Sequence, residues 1–294
     1  MKVGIFGQFY HQNSERAIQN VLDTLLDTGV EVWVEKNFLE LIRHHKGIDT
    51  NVQTFSSFTE LDSSYDFFFS IGGDGTILRS ITYVRDLGIP IVGINTGKLG
   101  FLATIQKQKV AESIHQILSG NYKTSERGLI AIDTRTDHSE IGELNFALNE
   151  IAINRKNSTS MIRVETRVDN EHLGSYWSDG LIISTPTGST GYSLSCGGPI
   201  VSPDTHSFIL TPIAPHNLNV RPFVLPDDKE IELVVSGRED SFLLSLDSRT
   251  ATLPMESVVR VKKAPFTIKL VQLSQDSFLN TLREKLLWGE DKRN

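Results

Sequence analysis

The sequence predicts an α/β N-terminal domain with a mainly parallel sheet (1–125), a mostly-β C-terminal domain (126–270), and a terminal helix (271–294) that packs back on the N-terminal domain. Three observations carry this expectation. Apolar runs alternate with segments of helical period through the first part of the chain, the later segments are short and of period two, and the chain closes on one amphipathic stripe. Strands alternating with helices imply a parallel sheet covered on both faces, and such sheets bind ligands beyond the carboxyl ends of their strands.

Taken in order, "KVGIF", "EVWVEK", "FFFSI" and "PIVGIN" read as strands, and "SERAIQNVLDTLLDTG", "FLELIRHHKG" and "TILRSITYVRDLG" as the helices between them. In the first helix Ile18, Val21, Leu22 and Leu25 share a face, Asn13 or Ser14 stands where a cap belongs, and Gly29 stands where the helix should stop. The second domain reads as the strands "LIAIDTR", "LNEIAINR", "MIRVETRV", "EHLGSYWSDGLIIST", "KEIELVV", "SFLLSLDS", "SVVRVKK" and "FTIKLVQL". Residues 161–177 predict a hairpin turning at "VDNEH", with Ile162, Val164 and Val168 alternating against Arg163, Glu165 and Arg167. In the last helix Phe278, Leu279, Leu282, Leu286 and Leu287 form the apolar stripe, Asp276 or Ser277 the cap, and Gly289 the stop.

Composition narrows the function classes. The 294 residues carry a formal charge of -7 with acidic and basic side chains intermixed, so the chain offers no electrostatic footprint for nucleic acid or an anionic membrane. Small-molecule chemistry is the expectation. Cys196 is the one cysteine, which excludes an intramolecular disulfide, and no Cys/His cluster has the spacing of a metal site. "MKVGIFGQFY" is broken by Gly4 and Gly7 and is too short for a signal-peptide core, and no run approaches the roughly 20 apolar residues of a membrane helix. A cytoplasmic protein is expected.

The stretch "FFFSIGGDGTILRS" (67–80) passes from a buried strand into three glycines around Asp74. Glycines there let phosphates approach the backbone, and the following helix offers its N–H groups to an anion. Phosphate binding leaves Asp74 unexplained, since a carboxylate repels phosphates unless it accepts a proton from an attacking hydroxyl or holds a cation. The plainer alternative is that Asp74 caps a helix beginning near Thr76. "STPTGSTGYSLSCGG" concentrates hydroxyls and glycines in one stretch suited to a polar dinucleotide, with Tyr192 offering a ring to a base or ribose. Arg79 lies on the helix after the glycine turn, where it is a candidate to screen phosphate charge.

"GGDGT" (72–76) resembles a signature shared by NAD kinases, 6-phosphofructokinases and diacylglycerol-type lipid kinases. "NTGKLGFLA" (95–103), "LNEIAINR" (148–155) and above all "DGLIISTPTGSTGYSLSCGGPIV" (179–201) resemble the NAD kinase family in order, spacing and wording. The resemblance implies phosphorylation of the 2′-hydroxyl of the adenosine ribose of NAD by ATP with Mg²⁺, and a homo-oligomer, dimer or tetramer, built through the β domains. It implies Asp74 as the proton acceptor and Gly73, Asp74, Gly75 and Arg79 as nucleotide-binding positions. Asn149, Glu150, Asp179, Thr187, Thr190, Gly191, Tyr192, Ser193, Leu194, Ser195, Ala214 and Arg249 are implied as further binding positions, and His216 matches a Pro-His element of the family.

Two departures stand out. "LDSRTATLP" carries Arg249 where the family commonly has Gln, which puts the preference of that turn in question, and Cys196 fills a small-residue position as a packed thiol. Two other functions compete with the main one. A lipid or sugar-phosphate kinase would share the turn, but a lipid kinase should carry an exposed basic amphipathic helix, which the sequence lacks. A non-catalytic dinucleotide sensor would have no need of the Asp74 carboxylate.

Overall fold

The fold follows from which faces the sequence makes apolar. The computed structural model describes residues 1–8, 14–44, 52–134, 141–157, 160–274 and 276–288. They divide into two units, 1–126 with 268–294, and 127–267.

The first unit contains β1 (Lys2–Gly7), α1 (Glu15–Asp27), β2 (Glu31–Glu35), α2 (Lys36–His44), β3 (Gln53–Phe55), β4 (Phe67–Gly72), α3 (Asp74–Val84), β5 (Ile91–Asn95), β6 (Ile105–Gln106) and α4 (Val110–Leu118). All six residues of β4 and all five of β5 are buried. Continuous burial is the mark of central parallel strands, and the sheet is parallel in the order β3-β2-β1-β4-β5. The chain lays β2 and β3 on one side of β1, then places β4 on the other. The switch point therefore falls between the carboxyl ends of β1 and β4, at Gly7 and Gly72.

Helix α1 buries Ile18, Val21, Leu22 and Leu25 as its spacing predicts, and Gly29 ends it at φ +70. Ser14 is its N-cap residue without a side-chain capping bond, while Asn13 and Gly289 lie outside the described residues. Helix α4 was not anticipated, although Val110, Ile114 and Ile117 give it a buried face of helical spacing.

The second unit is built from strands that run β7 (Lys123–Thr134), β8 (Phe146–Ala147), β9 (Glu150–Arg155), β10 (Ile162–Val168), β11 (Glu171–Ser178), β12 (Gly180–Ser184), then the one-turn helix α5 (Tyr192–Ser195). They continue as β13 (Ser207–Ile213), β14 (Phe223–Pro226), β15 (Ile231–Ser236), β16 (Ser241–Leu246), β17 (Arg249–Pro254) and β18 (Val258–Gln272). One antiparallel sheet has the order β14-β13-β12-β9-β16-β17. The other runs β11-β10-β15 and onto the start of β18. Ile151, Ile153, Leu181, Ile183 and Leu244 of the first meet Val164, Leu233, Val235 and Val259 of the second in one core. This is the packing of two half-apolar sheets. The β10–β11 hairpin turns at Asp169 and Asn170, whose φ values of +49 and +68 fit a primed turn, and Ile162 and Val164 point into the core.

β18 ends in the first unit, where Leu270 pairs with Ile91, and α6 (Phe278–Leu286) follows. Ser277 caps α6 by accepting the Asn280 N–H, and Leu287 closes it in the left-handed region at φ +51. The predicted stripe is only partly used. Leu282 is buried, whereas Leu279 is 65% exposed and Leu287 47% exposed. The helix docks through Thr104 Oγ1, which donates to Asp276 Oδ2 at 2.9 Å, and through the Phe101 and Phe278 rings, whose centroids are 6.1 Å apart.

Leu244 is fully buried at the centre of β16. Leu244→Ala should therefore cost about 2–5 kcal/mol of stability in urea denaturation. A loss below about 1 kcal/mol would contradict a close-packed core in this unit.

Candidate functional site

The candidate site in the first unit begins where β4 stops. Gly73 is the N-cap residue of α3 at φ -111, and Asp74 is its first helical residue. Thr76, buried under the turn, accepts the Gly73 N–H through Oγ1 at 3.3 Å. Asp74 is consequently no helix cap, and its carboxylate leaves its own helix altogether. Oδ2 accepts the Phe101 N–H at 2.8 Å, and Oδ1 accepts those of Leu102 and Ala103 at 3.0 Å each.

That contact needs room and a shaped loop. A side chain at Gly100 would put its Cβ 1.9 Å from Asp74 Oδ1, so glycine is required there by the carboxylate itself. Asn95, at the end of β5, shapes the loop by donating to the carbonyls of Lys98 and Ala103 and accepting the Gly97 N–H. The Lys285 ammonium of α6 lies 3.8 Å from Asp74 Oδ2. Gly73 and Gly75 behave differently from Gly100: a Cβ at either would meet nothing within 4 Å, and neither adopts a conformation reserved for glycine. Arg79 is exposed on α3, five residues and so about 140° around the helix from Asp74.

A separate cluster of predicted positions lies in the β unit, at the start of β9. Asp247, at φ +51 with its side chain 1% exposed, accepts the N–H groups of Leu148, Asn149 and Glu150 at 2.9, 2.8 and 3.2 Å. Thr185 holds the same stretch from the other side, its N–H donating to Asn149 O and its hydroxyl to Leu148 O. Gly188 packs so closely that a Cβ would sit 2.0 Å from Asn149 O. Gly191 lies over both side chains, with its Cβ position 3.2 Å from Glu150 Oε2 and 3.3 Å from Asn149 Nδ2. Asn149 Oδ1 and Glu150 Oε2 are buried and have no hydrogen-bond partner among the described residues.

Burial is the main cause that raises the Glu150 carboxyl to about 8, with the Asp247 charge adding to it and the Tyr192 N–H opposing it. Burial raises Asp247 too, but three N–H donors and the Arg249 guanidinium favour its ionised form. The pair thus keeps its proton on Glu150, which is a neutral acid at pH 7.

The remaining predicted positions sort by where their polar atoms go. Tyr192 is 41% exposed, Ser195 is exposed, and Thr190 Oγ1 donates to Thr187 O. Ser193 is buried with its hydroxyl 2.8 Å from Thr211 Oγ1, so it shapes the turn rather than presenting a free hydroxyl. Thr187 is buried and Leu194 half-buried. Asp179 pairs with Arg155 at 3.0 Å. Ala214 is exposed at φ +45, and exposed His216 donates its N–H to Trp177 O. Arg249 turns to its own chain, donating to the carbonyls of Leu144 and Phe146.

Glu150 gives a pH prediction. Its folded value lies above its ordinary 4.5, so the folded state holds the extra proton and the stability linked to it is complete below about 4.5. That stability is lost as pH rises to about 8. Glu150→Gln, which cannot ionise, should gain melting temperature relative to the parent chain across this window and hold a constant difference above it. A difference that does not change with pH would refute the neutral acid.

A family model described as the ATP-NAD kinase N-terminal domain matches residues 3–122, and one described as the ATP-NAD kinase C-terminal domain matches residues 148–273. The chain is 55% identical over 294 residues to an NAD kinase of Christiangramia forsetii and 51% identical over 294 residues to one of Flavobacterium johnsoniae, covering all of both chains in each case. Among solved structures, a yeast NADH kinase complexed with NADH superposes with a TM-score of 0.84 at 24% identity, over 99% of this chain and 89% of that one. An NAD kinase from Archaeoglobus fulgidus in complex with ATP gives a TM-score of 0.77 at 24% identity, over 98% and 99%. These last two likenesses establish the fold; the two family models and the close relatives place the chain in the ATP-NAD kinase family.

Proposed function

We propose that the chain is an NAD kinase that transfers the terminal phosphoryl group of ATP to the 2′-hydroxyl of the adenosine ribose of NAD, giving NADP and ADP. The observation that carries this reading is the Asp74 carboxylate, fixed by three backbone N–H groups at the carboxyl end of β4. An ionised carboxylate has about four lone-pair sites, so three N–H bonds leave one acceptor position, held in a fixed direction. A hydroxyl bonded there is oriented for in-line attack. As the new oxygen–phosphorus bond forms and the bridging bond to ADP breaks, the hydroxyl proton passes to Asp74.

The glycines support the same reading. Nothing in the chain demands that residues 73 and 75 lack a side chain, so their bareness suits approach of the triphosphate to the backbone at the start of α3. Mg²⁺ would neutralise triphosphate charge in such a reaction. Among the described residues no three His, Cys, Asp or Glu side chains gather into a metal cluster.

For the dinucleotide, the unpartnered Asn149 Oδ1 and the neutral Glu150 acid supply an acceptor and a donor from a rigid strand entry. Ribose hydroxyls and the adenine edge offer matching groups, while exposed Tyr192 supplies a ring face. Among the described residues no helix is long and apolar enough to cross a membrane. A cytoplasmic place suits the substrates, and a homo-oligomer built through the β unit would cover the exposed Trp177, Phe223 and Val224.

Two variants test the assignment. Asp74→Ala should lower NADP formation by on the order of 10² to 10⁴ while NAD affinity, measured by calorimetry, stays near the parent value. Near-parental turnover would return the turn to a structural role. Asp74→Asn is a poor substitute, because its amide must point a donor at the Phe101 N–H or at the Leu102 and Ala103 pair. Tyr192→Ala should instead weaken NAD binding by about 1–2 kcal/mol with turnover at saturation largely kept, and an unchanged affinity would remove this ring from the site.

A further inference from the structure

The family models end at residues 122 and 273, before α6, yet this helix carries a charge to the reacting carboxylate. Lys285 Nζ is 3.8 Å from Asp74 Oδ2 and 4.7 Å from the centroid of the Phe101 ring. Phe101 is the residue whose N–H binds that same Oδ2. Its ring also meets Phe278 of α6, and the loop is tied to the helix entry by the bond from Thr104 to Asp276. Thus α6 grips the loop at Phe101 and Thr104 and lays one cation over the oxygen that retains a free acceptor position.

We propose that Lys285 is a positioning residue for phosphoryl transfer, holding Asp74 Oδ2 and the Phe101 loop in register and offsetting the repulsion between this carboxylate and the incoming triphosphate. The proposal rests on Asp74 as the proton acceptor. A polyphosphate brought to the turn meets a carboxylate of its own sign, and an ammonium beside that carboxylate reduces the cost. The distance exceeds a hydrogen bond, so the cation works as a charge and is free to follow the carboxylate. Its side chain is 35% exposed and that of Asp74 28%, so water screens the pair and the effect should be moderate.

Four proteins decide the matter: Lys285→Met, Lys285→Arg, Asp74→Ala and the Asp74→Ala/Lys285→Met double variant, each assayed for NADP formation and for melting temperature. Methionine keeps a flexible apolar stem against the Phe101 ring without the charge, and arginine keeps the charge. Lys285→Met is expected to lower kcat about 3- to 10-fold with an unchanged melting temperature, and Lys285→Arg to recover most of the loss. In the Asp74→Ala background, Lys285→Met should have no further effect, because a residue acting through Asp74 has nothing left to act on.

Parental kcat in Lys285→Met, alongside a disabled Asp74→Ala, would overturn the role of Lys285 and leave Asp74 intact. Equal losses in the Met and Arg variants would also overturn it, by showing that shape matters and charge does not. Additive losses in the double variant would overturn it by placing the ammonium on the substrate rather than on Asp74. Near-parental turnover in Asp74→Ala would sink the Asp74 reading, and the proposal with it.

Discussion

One acceptor organises the turn and loop at the carboxyl ends of β4 and β5. The Asp74 carboxylate gathers three consecutive backbone N–H groups, from Phe101 to Ala103, and so fixes the loop after β5 against the turn after β4. The loop has no regular structure with which to hold itself. N–H groups left unbonded under the loop would each cost about 1–3 kcal/mol, and charge-assisted bonds to one carboxylate satisfy all three together. The consequence runs both ways, since the loop fixes the carboxylate as firmly as the carboxylate fixes the loop. Gly100, Asn95 and the docking of α6 are conditions for that one contact.

The β unit repeats the device with a different outcome. Asp247 also accepts three consecutive N–H groups, those of Leu148, Asn149 and Glu150. Its side chain is 1% exposed against 28% for Asp74, so it has no acceptor position open to a substrate and serves as an anchor. What it anchors is the reactive pair beside it. The neighbouring Glu150 keeps its proton, so the strand entry sets the unpartnered Asn149 amide oxygen, an acceptor, beside an acid that donates. Hydrogen bonding thereby decides polarity at one site and reactivity at the other.

Period and punctuation made most of the fold legible. The alternation in the first unit, the Asp169–Asn170 turn and the face of α1 follow from local sequence, because parallel sheets and hairpins are specified by neighbours in the chain. The turn at 72–76 and the strand entry at Asn149 were equally visible as places. Their partners were not. Asp74 meets residues 27 to 29 positions away, and Asp247 meets residues 97 to 99 positions away. In "LDSRT" attention goes to the unusual Arg249, yet its guanidinium serves carbonyls of its own chain and Asp247 does the organising. Lys285 gives no signal at all, being one of several charges on a helix whose apolar stripe is only half buried. The stripe itself misled for the same reason: spacing shows that a helix has an apolar face, while tertiary contact decides how much of it is covered.

The glycines separate what the protein needs for itself from what it keeps open. At Gly100 and Gly188 a side chain would strike Asp74 Oδ1 and Asn149 O, so packing explains them and no ligand has to be invoked. At Gly73 and Gly75 an added Cβ would meet nothing within 4 Å among the described residues, and the backbone is unstrained; the N-cap position suits glycine at 73, so Gly75 is the one that folding leaves unexplained. A helix prefers almost any residue to glycine in its first turn, and glycine there costs conformational entropy on folding. Residues that lower stability without serving the folded chain are the ones that function must account for. This turn sets a bare backbone and the start of α3 next in sequence to a carboxylate whose three N–H bonds leave one acceptor position, the groups that phosphate and hydroxyl require together.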